Sequence, residues 1–376
     1  MDYLKRLSHH YQPQRGWIND PNGLVYFGGY YHIFYQCAPH FETPWHEPMY
    51  WGHARTKDFI TFEELPVALA PDMPYDAGGC WSGTAIVKDD TLYLFYASIQ
   101  KVPADDKRHP KGHIESVSVA YSKDGISFEK YEGNPIIPDY PADGSNEFRD
   151  PAIMEKDGKF YLIMASGQPQ NRLGRLLAYE SENLFDWNYI GIMKEWQNKR
   201  YTECPSFMKC GDKFMLTASV CSADDNDPDG FHHFAVMYGD FDGKTFTTEV
   251  SGEVDMGPDQ YAGQAFTDQL GRNILISWVP GWSYQFKERC VGCMSLPREL
   301  TVKDGKVYGY PVKEVQHLLK DSDPALIRTE KGFIIEREGR NPVIFEGEIT
   351  DLKILRDEYI IEVFINGGEK IYTALL

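Results

Sequence analysis

Three acidic residues stand in short, similar contexts along the chain. Asp20 lies in Asn-Asp-Pro, Asp150 in Arg-Asp-Pro and Glu203 in Glu-Cys-Pro. A following proline favours extended, stiff backbone, which would hold each acid in a fixed direction. Two carboxyl groups at one site can hydrolyse a glycosidic bond: one attacks the anomeric carbon, while the other protonates the leaving oxygen and later activates water. A third can bind sugar hydroxyls and stabilise developing positive charge.

One of these acids has a basic neighbour. Arg149 directly precedes Asp150, and a nearby opposite charge favours the ionised form of a carboxyl group. We therefore expect Asp150 to stay ionised. Each acid alone could simply shape a turn, because Asp and Asn are common turn residues. Their recurrence at matching places in an internal repeat favours a shared site instead.

The repeat consists of a short apolar stretch, a turn with Gly or Asp, and an alternating aromatic and aliphatic run. This is the pattern of a hairpin with one buried face. A second hairpin follows each copy, and four strands in each of five units predict an all-β fold, a five-bladed β-propeller. Two generic β-sandwiches are the alternative. The copies begin at Asn19, Trp81, Phe148, Glu203 and Tyr261.

The innermost strand of each predicted blade lines a central channel, so side chains at matching positions should meet there. We expect three carboxylates from three blades to converge on one pocket. The matching positions hold Asp20, Ser82, Asp150, Glu203 and a polar group near Gln264.

The predicted propeller covers residues 1–311, and residues 312–376 differ in character. This tail contains the alternating runs GFIIERE and EYIIEVFING, which suit β-strands. We expect a small C-terminal β element, a reduced sandwich, that packs on the propeller and takes no direct part in the chemistry.

Composition narrows the possible partners. The 376 residues carry a formal charge of −18, which disfavours nucleic acid and anionic membranes as partners. No apolar run approaches the roughly 20 residues of a membrane span. The first residues lack the apolar core of a secretory signal, and seven cysteines are an odd number for a disulfide framework. These features predict a cytoplasmic protein with reduced thiols.

The motifs together resemble glycoside hydrolase family 32, the invertase and fructanase family. The resemblance rests on WINDPNG from Trp17, FYQ from Phe34, WSG from Trp81, the Arg-Asp-Pro and Glu-Cys-Pro motifs, and MSLPREL from Met294. It implies a retaining β-fructofuranosidase that needs no cofactor and no metal. By this resemblance Asp20 is the nucleophile, Asp150 the transition-state stabiliser and Glu203 the acid/base. The fructose pocket would comprise Asn19, Gln36, Trp45, Trp81, Ser82 and Arg149.

The implied substrate is a small carbohydrate, sucrose or a short fructan. Ser206 stands where many plant invertases carry an aspartate linked to sucrose preference, so sucrose is not favoured over fructan. The overall acidity and the absence of a basic cluster around the motifs favour neutral over phosphorylated sugars, with Arg55 and Lys57 as the candidate phosphate contacts. The shortened tail leaves a homo-oligomer possible but without assigned contacts.

Other functions remain open at this stage. Fructosyl transfer would use the same scaffold, with a sugar in place of water as acceptor. A non-catalytic fructan-binding propeller would have no need of both Asp20 and Glu203. An inverting five-bladed relative acting on arabinan is a further alternative, which the WINDPNG stretch argues against.

Overall fold

Antiparallel β-sheets make up most of the chain. The computed structural model describes residues 6–40, 47–103, 105–224, 234–284 and 292–376. Five sheets of four or more strands follow one another in sequence, and two three-stranded sheets come after them. The predicted all-β fold, a five-bladed propeller with a small C-terminal β element, is confirmed. No helix among the described residues has the length and apolar character to span a membrane.

The first three blades each contain four strands in sequence order. Blade one contains β1 (Trp17–Phe27), β2 (Tyr30–Ala38), β3 (Tyr50–Thr56) and β4 (Phe62–Leu69). Blade two contains β5 (Gly79–Lys88), β6 (Thr91–Lys101), β7 (His113–Ser122) and β8 (Glu129–Lys130). Blade three contains β9 (Phe148–Lys156), β10 (Lys159–Gln168), β11 (Leu173–Ser181) and β12 (Asn188–Gln197), with a 3-10 turn at Pro169–Asn171.

Blade five differs by an extra short strand that pairs with its second strand. Blade four contains β13 (Lys199–Cys210), β14 (Lys213–Ser222), β15 (Phe234–Phe241) and β16 (Phe246–Gly252). Blade five contains β17 (Tyr261–Thr267), β18 (Asn273–Val279), β19 (Cys293–Met294), β20 (Arg298–Lys303) and β21 (Lys306–Pro311), with a 3-10 turn at Gly281–Tyr284.

Burial follows the position of a strand within its blade. The second strands, such as β10 and β14, are buried along nearly their whole length. The fourth strand of blade four, β16, instead alternates between covered and exposed residues. Neighbouring blades cover both faces of the inner strands, which accounts for the continuous apolar runs there, whereas an outer strand has one wet face.

A β-bulge interrupts each innermost strand. The shifts in register fall after Ile18 in β1, Trp81 in β5, Arg149 in β9, Glu203 in β13 and Tyr261 in β17. A bulge adds one residue, bends the strand and re-aims nearby side chains. A bulge therefore recurs near the N-terminal end of the innermost strand in all five blades. The three acids lie in or next to these bulges.

The tail packs into the propeller core. It contains a 3-10 helix (Lys313–Leu318), one sheet of β22 (Leu326–Arg328), β23 (Gly332–Ile335) and β24 (Val343–Glu346), and another of β25 (Leu352–Asp357), β26 (Ile360–Ile365) and β27 (Lys370–Leu375). Phe364 and Ile371 share one apolar cluster with Val254 and Leu300 of the propeller. Ile371 also exchanges backbone hydrogen bonds with Val254 and Met256. The division at residues 311 and 312 stays a prediction.

Buried charges join the tail to the propeller. The Arg298 guanidinium, fully buried in blade five, donates to Asp255 at 2.6 Å and to Glu362 of β26 at 3.0 Å. His10 of the N-terminal segment lies 3.0 Å from Glu362 and 2.9 Å from Asp357. The N-terminal segment, blade five and the tail are thus held by one hydrogen-bonded cluster.

Candidate active site

A cavity of about 190 Å³ lies near the N-terminal ends of the innermost strands. The structure brings together there eight of the nine residues predicted from the sequence. The ninth, Trp45, lies outside the described residues. The lining consists of Asn19, Asp20, Gln36, Trp81, Ser82, Lys111, Arg149, Asp150, Glu203, Tyr261 and Trp282.

Asp20 lies in the bulge of β1, and three neighbours donate to its carboxyl group. Ser82 Oγ donates to Oδ2 at 2.8 Å, and Asn19 Nδ2 donates to Oδ1 at 3.1 Å. Cys204 Sγ lies 3.4 Å from Oδ2. Burial raises the pKa of Asp20, and these hydrogen bonds oppose that rise. The donors therefore stabilise a carboxylate with a fixed orientation.

Asp150 lies in the bulge of β9 and faces blade four. Its Oδ2 accepts the Cys204 backbone N–H at 2.9 Å. Burial raises the pKa of Asp150 to about 7, although the Arg149 charge acts in the opposite direction. Arg149 therefore acts on Asp150 in the expected direction, but the expectation that it prevails over burial is not met. The Arg149 guanidinium is hydrogen-bonded to other carboxylates, and burial outweighs its effect.

Glu203 sits on β13 just before the bulge, where neighbours contact both carboxyl oxygens. Arg149 Nη2 donates to Oε1 at 2.8 Å. The Tyr261 hydroxyl donates to Oε2, and Cys221 Sγ lies 3.8 Å from the same oxygen. The side chain keeps 19% of its surface exposed. Glu203 is thus oriented by two blades and still open to the cavity.

Arg149 is shared among several carboxylates. Its Nη1 donates to Glu147 at 2.7 Å and to Glu115 at 3.1 Å, while Nη2 serves Glu203. The guanidinium also lies over the Tyr201 ring, 5.2 Å from its centroid. Because both terminal nitrogens of its guanidinium are hydrogen-bonded to carboxylates, Arg149 is held rigidly and its charge is largely offset.

Sequence reasoning missed three lining residues, Lys111, Tyr261 and Trp282. The sequence could have predicted Tyr261 as a lining residue, because it is the first residue of the fifth repeat. It precedes the bulge of β17 as Glu203 precedes the bulge of β13. Gln264 is the polar residue that we expected near the acids in the channel. Its Nε2 instead donates a hydrogen bond to Gly83 O at 2.7 Å. It lines a larger cavity of about 420 Å³ at the opposite ends of the innermost strands, away from the three acids.

The two basic residues considered for phosphate binding lie elsewhere. Arg55 donates to Glu63 at 2.7 Å and stacks on the Tyr30 ring, 4.2 Å from its centroid. Lys57 lies over the same ring at 4.7 Å. Neither belongs to the described lining of the cavity, where the cations are Lys111 and Arg149.

Known proteins share both sequence and fold with this chain. The protein-family model for the glycosyl hydrolases family 32 N-terminal domain matches residues 10–311. A sucrose-6-phosphate hydrolase of Zymomonas mobilis is 32% identical over 365 residues, which cover 93% of this chain and 69% of the relative. One from Vibrio alginolyticus is 34% identical, with 98% and 85% covered. A Bombyx mori family 32 β-fructofuranosidase, solved with sucrose, superposes with a TM-score of 0.83 at 26% identity, covering 100% of this chain and 90% of the other.

Proposed function

This chain belongs to glycosyl hydrolase family 32 and is a β-fructofuranosidase, and we propose that it releases terminal β-D-fructofuranosyl groups from sucrose and short fructans with retention of configuration. The observation that carries the proposal is the meeting of Asp20, Asp150 and Glu203, from three blades, in one cavity. Two carboxyl groups with different surroundings are what double displacement at an anomeric carbon requires.

In the first step Asp20 attacks the anomeric carbon C2 of the fructosyl group. The bond from C2 to the glycosidic oxygen breaks, its electron pair stays on that oxygen, and Glu203 donates a proton to it. The hydrogen bonds from Ser82 and Asn19 favour Asp20 as a carboxylate aimed in one direction. Placement of Glu203 between Arg149 and Tyr261 supports a fixed direction for proton transfer.

In the second step water replaces the first product. Glu203, now a carboxylate, takes a proton from the water, whose oxygen attacks C2 and releases Asp20. Retention by this route requires carboxyl groups about 5 to 5.5 Å apart. Asp150 lines the same cavity, where it is available to bind sugar hydroxyls and, as a carboxylate, to offset positive charge on the ring as it develops.

The cavity suits one sugar ring. Trp81 and Trp282 offer aromatic surface for the apolar face of a sugar, while Asn19, Gln36 and Ser82 offer hydrogen-bonding groups for its hydroxyls. These pocket roles, with Arg149 as a further pocket residue, are part of the proposal. Trp45 is proposed on the family resemblance alone.

Methanol as a competing acceptor tests the mechanism. We expect sucrose and methanol together to give glucose, fructose and methyl β-D-fructofuranoside, identified by NMR, because methanol replaces water on the fructosyl-enzyme. Formation of the α-anomer instead would contradict retention. Oligosaccharide products that dominate over free fructose at millimolar sucrose would favour fructosyl transfer as the main activity.

A further inference from the structure

Glu115 is a buried carboxylate beside the active site that the proposed mechanism does not use. It lies on β7 and is 2% exposed. Its Oε2 accepts the Phe148 backbone N–H at 2.8 Å and Arg149 Nη1 at 3.1 Å. Its Oε1 lies 3.1 Å from His113 Nε2 and 3.7 Å from Lys111 Nζ. Each oxygen of Glu115 therefore faces positive or donor groups.

The charge on Glu115 is permanent in the working pH range. Burial alone would raise the pKa of Glu115, but Arg149, His113 and Lys111 outweigh burial and lower it to about 2. A fixed negative charge thus lies against Arg149, on the side of the guanidinium away from Glu203. Glu115 and Glu203 contact the same planar guanidinium. A change at Glu115 therefore alters the position of the Arg149 guanidinium and the net charge that Glu203 faces.

We propose that Glu115 is a positioning residue for the acid/base carboxyl group. It holds the Arg149 guanidinium in place and offsets part of its positive charge, so that Glu203 can begin the reaction as an acid. Blade two thereby controls a catalytic group of blade four through a residue of blade three. This inference rests on the proposed function, in which Glu203 protonates the leaving oxygen.

The sign of the effect follows from the charges around the pocket. Glu115 and Glu147 offset the charge of Arg149, whose other partner is Glu203. If Glu115 loses its charge, Arg149 becomes less neutralised and favours the ionised form of Glu203. Asp150 feels the same added positive charge.

The other groups that face Glu203 are unchanged by this substitution. They include the hydroxyls of Tyr261 and Tyr201, the thiols of Cys221 and Cys204, and the carboxyl groups of Asp20 and Asp150. Since Glu203 must begin the reaction as the acid, the alkaline limb of the activity profile should move towards lower pH.

The test is the Glu115→Gln variant, which keeps the shape of the side chain and removes its charge. We expect the alkaline limb of the kcat/KM profile on sucrose to shift to lower pH by about half a unit. At pH 7.5 we expect kcat/KM on sucrose to fall about 3-fold, the loss that a half-unit shift produces, and to fall less on β-D-fructofuranosyl fluoride, whose leaving group needs little protonation.

Glu362→Gln is the matched control. Glu362 is equally buried, its pKa is also lowered to about 2, and it also binds a backbone N–H and an arginine, but in the tail cluster. It should cost stability without moving either limb. An unmoved alkaline limb in Glu115→Gln, or equal losses on both substrates, would overturn the proposal, because a merely structural role lowers the amount of active enzyme equally for both.

A second variant decides the matter if Glu115→Gln does not fold. Glu115→Asp keeps the charge but is too short to hold both Phe148 N–H and Arg149. We expect its limbs to stay in place while kcat on sucrose falls and KM changes little. Wild-type kcat in this variant would overturn the proposal. Failure of the proposed function itself is seen separately: the wild-type protein would not hydrolyse sucrose, or the Asp20→Ala variant would keep its activity.

Discussion

Asp150 and Cys204 are joined across two blades by a hydrogen bond of 2.9 Å from the Cys204 backbone N–H to Asp150 Oδ2. Both residues adopt left-handed backbone, with φ of 54° and 45°, and both lie in the bulges of their innermost strands. Such conformations are costly for residues other than glycine and persist only where the surroundings hold them. The pairing of these two bulges fixes Asp150 against blade four.

The two acids of the mechanism should fail in different ways. Asp20→Ala and Glu203→Ala should each lower kcat on sucrose by at least about 1,000-fold. β-D-Fructofuranosyl fluoride should partly restore the rate of Glu203→Ala, because fluoride leaves without a proton. It should not restore Asp20→Ala, which cannot form the fructosyl-enzyme. Fluoride release measured for both variants checks this, and equal rescue of the two would contradict the assignment of Asp20.

Asp150→Asn should lower activity while raising stability above neutral pH. The pKa of Asp150 is raised to about 7 by burial, so the folded state loses stability as pH rises from about 4 to 7 and the buried carboxyl group ionises. Asn carries no such charge and can still accept the Cys204 N–H. We expect a Tm a few degrees above that of the wild type at pH 8, and a difference that vanishes near pH 4. A lower Tm at pH 8 would mean that Asp150 is stabilised as a carboxylate.

His10 should make the folded protein less stable in alkali. Burial alone would lower its pKa, but the hydrogen bonds to Asp357 and Glu362 outweigh burial and raise it to about 9. The resulting stability is fully present below about pH 6.5 and is lost as pH rises towards 9. It amounts to about 3 kcal/mol. Thermal unfolding between pH 6 and 9 should show this loss in the wild type and not in His10→Gln, for which a wild-type pH dependence would exclude His10 as the cause.

The tail should matter for folding and not for chemistry. Removal of residues 316–376 takes Glu362 from the buried Arg298 and Phe364 from the shared core, so we expect insoluble protein. Phe364→Ala should cost about 3 to 5 kcal/mol in the free energy of unfolding, whereas Ile344→Ala, 56% exposed, should cost little. Denaturant unfolding and kcat of the folded fraction check this. A soluble, folded truncation without activity would show a catalytic role for the tail.

Neutral sucrose should be a better substrate than sucrose 6-phosphate. Lys111 lines the cavity, but its Nζ lies 2.8 Å from Glu147, and Arg149 is already shared among carboxylates. We expect kcat/KM about 10-fold higher for sucrose, equal to about 1.4 kcal/mol of repulsion. A higher value for the phosphate ester would reverse this, and Lys111→Met should then lower the rate on the ester more than on sucrose.

Several features were determined by the sequence itself. Repeated hairpins with one apolar face predicted the blades, since periodicity is a local property of the chain. Prolines one or two residues after Asp20, Asp150 and Glu203 marked the acids, and the places of the acids in the repeat predicted that they meet.

Other features were decided only by the tertiary structure. Adjacency in sequence suggested that Arg149 keeps Asp150 ionised, and the Arg149 charge does lower the pKa of Asp150. Arg149 reaches Glu115 and Glu203 from other blades, and burial then controls the pKa of Asp150. Contacts between distant segments and the desolvation of charges depend on packing, which no local pattern of residues contains.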